Sequence, residues 1–316
     1  MVDCDPGVDD AFSLGLALGS PELDVRAVTV VAGNVPVEQA RRNASRLLHL
    51  FGRDDVPVAA GAARGLIRVK PPHPPVHGRN GLGGVELPEA ETAGSGEHAV
   101  EVLAQALREG SPGRVTIAAI GPLTNIALLL SLHPELKTSI ERLVIMGGAI
   151  GTGNITPVAE FNVWADPEAA QRVLTDPEVA ICLVPLHVTR RATIRQEHLR
   201  TLERRTRHGT LLANIVRGYG DRHDGGWPLH DALALAAIAD PALIDTRSAV
   251  IEVDTGVGRS RGQTICAFDM PIEGWSGHDF PVRKPSIAAN LKMAVDLDVE
   301  RFRTMLLDRI PAAIRG

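Results

Sequence analysis

Asp3, Asp5, Asp9 and Asp10 fall within eight residues of one another, in the run Met1-Val2-Asp3-Cys4-Asp5-Pro6-Gly7-Val8-Asp9-Asp10. So much negative charge on one tight turn repels itself. Either a cation or a hydroxyl-rich ligand compensates it, or the turn is fully solvated. Asp5 and Asp10 flank the Pro6-Gly7 turn and can converge on one point. Asp9 and Asp10 are adjacent on a helix and project about 100° apart, so one can hold a metal while the other faces something else. Carboxylates also favour helix N-termini, but capping accounts for one or two acids rather than four.

A second polar group lies in Asn154-Ile155-Thr156-Pro157-Val158-Ala159-Glu160-Phe161-Asn162. The segment reads as strand or loop, and Glu160 and Asn162 share a face if it is extended. Amides with a carboxylate suit hydroxyl groups, which both donate and accept. Asp166-Pro167-Glu168 reads as an ordinary helix start with Asp166 at the N-cap, which places Asp166 outside the site. His230-Asp231 opens another apolar helix. Taken alone, that pair is a capping acid with a solvated histidine.

The elements that must position these groups alternate. Strand-like runs cover Val25 to Ala32, Val56 to Ala60, Val115 to Ile120, Leu143 to Met146 and Val179 to Val184. Helical patterns cover Val37 to Phe51, Gly96 to Glu109, Thr124 to Leu132 and Asp166 to Leu174. This alternation predicts an α/β fold: an open, Rossmann-like, mainly parallel central sheet flanked by helices. Short strands at Val250 to Val253 and Thr264 to Phe268, then a helix from Val299 to Leu307, predict a few extra C-terminal strands. No clean linker is visible, so residues 1–316 read as one domain. Ligands in such sheets bind at the carboxyl ends of the strands. Asp5, Asn34, Ile120-Gly121 and Met146-Gly147-Gly148 all fall there. Two long irregular segments, Gly65 to Ser95 and Gly218 to Leu229, read as lids over that edge.

The composition is that of an ordinary soluble protein: 316 residues, 44% hydrophobic and 22% charged. A net charge of −5 without a basic block argues against nucleic acid. No apolar run reaches the roughly 18 residues of a membrane helix. Three distant cysteines, Cys4, Cys182 and Cys266, imply no disulfide framework and fit a reducing compartment, the cytoplasm.

Taken together, these motifs resemble the inosine–uridine nucleoside hydrolases. The first acidic run looks like that family's N-terminal signature. Gly33-Asn34-Val35, Leu123-Thr124-Asn125, Met146-Gly147-Gly148, Glu160-Phe161-Asn162 and His230-Asp231 follow in its order and approximate spacing. The resemblance spans nearly the whole chain. It implies a Ca²⁺-dependent enzyme, usually a homodimer or homotetramer, that hydrolyses the N-glycosidic bond of ribonucleosides.

Residue by residue, it implies Ca²⁺ ligation by Asp5, Asp10 and Asp231 with the Ile120 carbonyl. Asp5 would be the general base. Asp9, Asn162 and Asp231 would hold the ribose diol, Asn154 and Glu160 the 5′-hydroxyl side, and Asn34 the underside of the ring. Met146 would contribute to the substrate site. His230 or, secondarily, His77 would protonate the departing base, and Phe161, Trp227 and Tyr219 could stack on it. Oxygen-only ligands suit Ca²⁺ better than Zn²⁺. An aspartyl-nucleophile phosphatase would also place acids at a strand end, but Val8-Asp9-Asp10 stands where its Ser or Thr contacts belong. A non-catalytic, Ca²⁺-dependent nucleoside-binding protein is the other alternative.

Two departures from the family pattern stand out. Only Met1 and Val2 precede the acidic run, which predicts a nearly absent first strand, a truncated start and an apolar gap beside Asp3. His187 stands where an acid is expected.

Overall fold

The structure, a computed structural model, describes residues 1–70, 75–90, 96–110, 113–220, 225–268 and 291–313. Parts of both expected lids, and residues 269–290 near the C-terminus, lie outside the described residues. In chain order the elements of the first half are β1 (Val2–Cys4), α1 (Val8–Leu18), β2 (Val28–Val30), α2 (Val37–Leu50), β3 (Val58–Ala60), α3 (Ala99–Glu109), β4 (Val115–Ala119), α4 (Thr124–Leu132) and β5 (Ile140–Met146). Then come α5 (Phe161–Ala165), α6 (Pro167–Leu174), β6 (Ile181–Val184), α7 (Leu186–Thr189), β7 (Thr193–Ile194), α8 (Gln196–Arg205) and α9 (Gly209–Arg217). Last are β8 (Trp227–Pro228), α10 (His230–Ala239), β9 (Ile244–Val253), β10 (Thr264–Phe268), β11 (Leu291–Leu297) and α11 (Val299–Ala313).

Nine of the eleven described strands form one sheet in the order β10-β9-β11-β6-β5-β4-β1-β2-β3, and β7 and β8 pair antiparallel on their own. From β3 to β11 the neighbours run parallel, and β9 and β10 extend the sheet antiparallel. This is the expected α/β architecture with added C-terminal strands. The period-2 pattern decides what each face buries. In β5, Leu143 and Ile145 enter the core beneath α3, α4 and α6, whereas Val144 and Met146 enter the one beneath α1, α2, α10 and α11. Both faces are covered, so the strands read as continuous apolar runs.

Three features differ from the sequence expectation. β11 was not anticipated; it lies between β6 and β9, pairing parallel with one and antiparallel with the other. The amphipathic helices α8 and α9 were also missed. Third, β1 is short but paired on both sides. Val2 N–H donates to Ala27 O, Ile120 N–H to Asp3 O and Val31 N–H to Cys4 O. Asp3 Oδ1 accepts from Thr29 Oγ1 at 2.6 Å and from Asn125 Nδ2 at 2.8 Å, while Oδ2 is buried without a donor among the described residues. Burial pushes the Asp3 carboxyl up to about 7, against those two hydrogen bonds.

Candidate active site

α1 begins at the turn that carries the acids. Asp10 Oδ2 accepts the Gly7 N–H at 2.8 Å, and Asp9 and Asp10 occupy the first turn, where helix N–H groups favour negative charge. Phe12, Leu14 and Leu16, fully buried, then fix the helix in the core it shares with α10 and α11. Both acids are thereby held inside the protein, 3% and 0% exposed. Asp231, in the first turn of α10, joins them. Ligand atoms of Asp9, Asp10 and Asp231 all lie within 4.8 Å of one another.

Asp5 stands beside this trio at the end of β1. Its Oδ2 accepts the Asn34 N–H at 2.6 Å, and Asn34 Nδ2 donates to its backbone oxygen at 3.3 Å. Gly33 is required here, since a Cβ would come 1.8 Å from Asp5 Oδ2. The expected ligand set took Asp5 with Asp10 and Asp231 and kept Asp9 for the sugar. In the structure the tightest convergence is of Asp9 with Asp10 and Asp231. Asp5 couples to it electrostatically, chiefly through Asp10.

The electrostatics are those of crowded acids. Burial first, and Asp9 second, push Asp10 up to about 7. Burial, then the neighbouring carboxylates, raise Asp5 and Asp231 well above the ordinary carboxylate range. Asp5 Oδ1 and Asp10 Oδ1 are buried without a hydrogen-bond donor among the described residues. Unpaired buried oxygens on adjacent acids fit a hard divalent cation. Among the described residues, three acids converge only here.

Above the acids lies a cleft of about 610 Å³. It is lined by Asp5, Asp9, Asn34, His77, Ile120, Met146, Asn154, Glu160, Phe161, Asn162, His230 and Asp231. Of the expected site residues, Asp10 and Trp227 are absent from its wall. A larger groove, about 770 Å³, sits at the opposite, amino-terminal edge of the sheet around Met1, Val2 and Thr116. It lacks the convergence of acids, so the smaller cleft is the candidate site.

The amide wall is built differently from the sequence reading. The segment is not extended at Phe161–Ala165 but helical, as α5, and Glu160 is its N-cap. The Glu160 carboxylate accepts from Asn162 N at 2.8 Å, Gly148 N at 2.9 Å and Val163 N at 3.2 Å. These donors commit it to holding backbone, which weakens its expected contact with a 5′-hydroxyl. Asn154 Oδ1 accepts the Phe161 N–H at 2.9 Å, leaving the amide donors of Asn154 for a ligand. Asn162 Nδ2 donates to Ile120 O at 3.0 Å and Met146 O at 3.1 Å, so its Oδ1 is the acceptor that remains. Asp166 caps α6, accepting from Ala169 N, and also takes Leu66 N–H and the Thr124 hydroxyl. It lies outside the site, as expected.

Both long loops reach the cleft. His77 Nδ1 accepts the Val8 N–H at 3.0 Å and lies 3.8 Å from Asp9 Oδ1. Tyr219 packs edge-on against His77 at 5.1 Å and donates its hydroxyl to Asp9. Phe161 lines the cleft, but Trp227 does not: it is buried, with Nε1 donating to Gly220 O. Core packing therefore takes Trp227 out of the stacking set.

His230 Nδ1 meets Thr189 Oγ1 at 2.7 Å. His187 lies on α7 with Nδ1 buried and unpaired among the described residues, and burial lowers its proton affinity. Sequence reasoning missed Lys70, Thr189 and Arg190. Lys70 Nζ donates to Gly33 O and sits 5.0 Å from the Phe161 ring centre. Arg190 lines the cleft and donates to Thr152 O and Gly153 O, next to Asn154. No local pattern marks these three, because each acts across a long sequence separation.

Acids at the carboxyl edge of a parallel sheet, with amides and histidines around them, define an α/β protein whose cleft suits a polyhydroxylated ligand. The chain belongs to the inosine-uridine preferring nucleoside hydrolases, whose family model matches residues 1–304. It is therefore an enzyme that hydrolyses N-glycosyl compounds, a ribonucleoside hydrolase. It is 40% identical over 320 residues to a pyrimidine-specific ribonucleoside hydrolase, RihA, of Citrobacter koseri, covering 98% of this chain and 97% of that protein. The same figures hold for RihA of Escherichia coli O8. Among solved structures, the purine-preferring ribonucleoside hydrolase of Gardnerella vaginalis superposes with a TM-score of 0.87 at 31% identity, covering 100% and 99% of the two chains. The plant nucleoside hydrolase PpNRh1 gives 0.89 at 33%, covering 98% and 97%.

Proposed function

We propose that this enzyme cleaves ribonucleosides at the acid-lined cleft with Ca²⁺ held by Asp10, Asp231 and Asp5, the Ile120 carbonyl completing the protein's share. The observation that carries this reading is the buried convergence of Asp9, Asp10 and Asp231 beside Asp5, with two carboxylate oxygens lacking a donor among the described residues. A bound Ca²⁺ supplies the charge that neutralises these acids, a grip on vicinal hydroxyls and an easier ionisation of water.

The chain's own groups divide the remaining work. Asp5 Oδ1, the oxygen that Asn34 does not hold, takes a proton from the attacking water as its oxygen bonds to C1′. The bond from C1′ to the base nitrogen breaks, and its electron pair leaves with the base. Asp9 and the Asn162 Oδ1 accept ribose hydroxyls, the Asn154 amide addresses the 5′ side, and Asn34 lies under the ring. Surrounding carboxylates stabilise the oxocarbenium-like transition state.

His230 gives the proton that the base takes up. His77 is the poorer donor, because its Nδ1 faces the Val8 N–H and a protonated ring would bring two donors together. Similarity to the proteins named pyrimidine-specific supports uridine and cytidine as the preferred substrates, and the family supports a homo-oligomer. The three free cysteines fit a reducing compartment, the cytoplasm.

A nucleoside panel tests the reading. Free base and ribose should appear from uridine or cytidine, with activity lost on exhaustive chelation and restored by Ca²⁺. Tight binding without turnover would instead identify a nucleoside-binding protein.

A further inference from the structure

α7 contributes a residue that touches neither the acids nor the cleft. Thr189 is fully buried, and its Oγ1 lies 2.7 Å from His230 Nδ1. The same hydroxyl lies 3.4 Å from the Leu186 carbonyl one turn back, in donor geometry. A hydroxyl has one hydrogen and two lone pairs. It can donate to His230 Nδ1, or it can turn its hydrogen to Leu186 O and accept an Nδ1–H. The acid form of histidine carries both ring protons and so takes the second arrangement, in which the hydroxyl occupies Nδ1–H and the proton given to a leaving group must come from Nε2.

We propose that Thr189 is the positioning residue for His230, fixing the imidazole so that Nε2 is the proton-donating nitrogen. This rests on the reading that His230 protonates the departing base. α7 is itself fixed at both ends. Leu186 N–H donates to Gly148 O at 2.9 Å, and Arg190, directly after Thr189, holds the 152–153 backbone. The hydroxyl is thus presented from a rigid turn. A hydrogen bond of this kind matters by restricting ring rotation, since an imidazole turned about its Cβ bond would present carbon to the substrate.

The test pairs Thr189→Val, which keeps the shape and removes the hydroxyl, with Thr189→Ser, which keeps the hydroxyl. Thr189→Val should lower kcat for uridine by about 10- to 100-fold, the worth of one buried hydrogen bond. Turnover of a nitrophenyl riboside, whose leaving group needs no proton, should stay unchanged. Thr189→Ser should restore the uridine rate. In a His230→Ala background, Thr189→Val should have no further effect. Nitrogen NMR of labelled histidine should show one defined His230 ring form in the wild type and a mixture in Thr189→Val.

Equal slowing of both substrates by Thr189→Val would reduce Thr189 to a structural residue and overturn the inference. An unchanged uridine rate would overturn it too, leaving the His230 assignment standing if His230→Ala alone is slow on uridine and normal on the nitrophenyl riboside. If His230→Ala itself shows no such selectivity, the reading beneath the inference has failed.

Discussion

The Tyr219 hydroxyl donates to Asp9 Oδ1 across 2.8 Å, joining residues 210 apart in the chain. The turn after α9 is thereby tied to the first turn of α1. Burial, then the Asp9 charge, push the Tyr219 phenol well above its ordinary range, so it remains a donor. The His77 ring packs edge-on against Tyr219, bringing the two long loops together over the acids.

Tyr219→Phe should leave that Asp9 oxygen short of a donor and the two loops less firmly joined. Losing one hydrogen bond to a buried charge costs ~1–3 kcal/mol. Steady-state kinetics with uridine should show kcat/KM lower by about 10-fold or more. A variant indistinguishable from wild type would mean that Asp9 needs no help from this loop.

The sugar contacts predict discrimination against 2′-deoxynucleosides. A polar group of the site left without its hydroxyl partner raises the barrier by ~1–3 kcal/mol. Comparing kcat/KM for uridine and deoxyuridine measures this, and Asp9→Asn should narrow the gap. Equal values for the two substrates in the wild type would remove Asp9 and Asn162 from the diol.

Cation binding should stabilise the fold. Acids this close oppose one another unless protonated or neutralised, and a ligand bound only by the native state adds ~2.7 kcal/mol at 100 times its dissociation constant. Elemental analysis of protein purified without added metal should find Ca²⁺, and chelation should lower Tm. Finding zinc, or an unchanged Tm after complete removal of metal, would contradict the ligand set.

Glu160 predicts a pH effect of definite sign. Burial raises its carboxyl to about 7 from the ordinary 4.5, despite the backbone donors around it. The folded state therefore binds the proton more tightly than the unfolded chain. Its contribution to stability is fully present below 4.5 and is lost as pH rises through about 7. Wild-type Tm should fall over that window, and Glu160→Gln should lack this component. The same variant should be less stable at pH 5, because its amide turns N–H groups toward backbone donors, at ~1–3 kcal/mol. A pH profile parallel to wild type would refute the assignment.

Much was legible without coordinates because it is local. The acidic run and the turn of Pro6-Gly7 are adjacent in sequence, and the apolar runs from β2 to β6 announce a sheet buried on both faces. Asp166 could be set aside because Pro167 and Glu168 mark a helix start. Glu160 misled, since a single N-cap carboxylate converts an extended-looking segment into the start of α5. β11 could not be placed, because its parallel partner β6 and antiparallel partner β9 are chosen by the whole sheet.

The sequence by itself determined the strand–helix alternation, the faces the strands bury and the acids of the first turn, for these follow from periodicities of two and 3.6 residues. Only the tertiary structure decided the completion of the site: Asp231 beside Asp9 and Asp10, Tyr219 on Asp9, Thr189 behind His230 and Asn125 on Asp3. The reason is physical. A buried acid or imidazole demands a partner, but many side chains in a chain of this length can satisfy the demand. Which one does is settled by strand order and packing, once elements far apart in sequence meet at the carboxyl edge of the sheet.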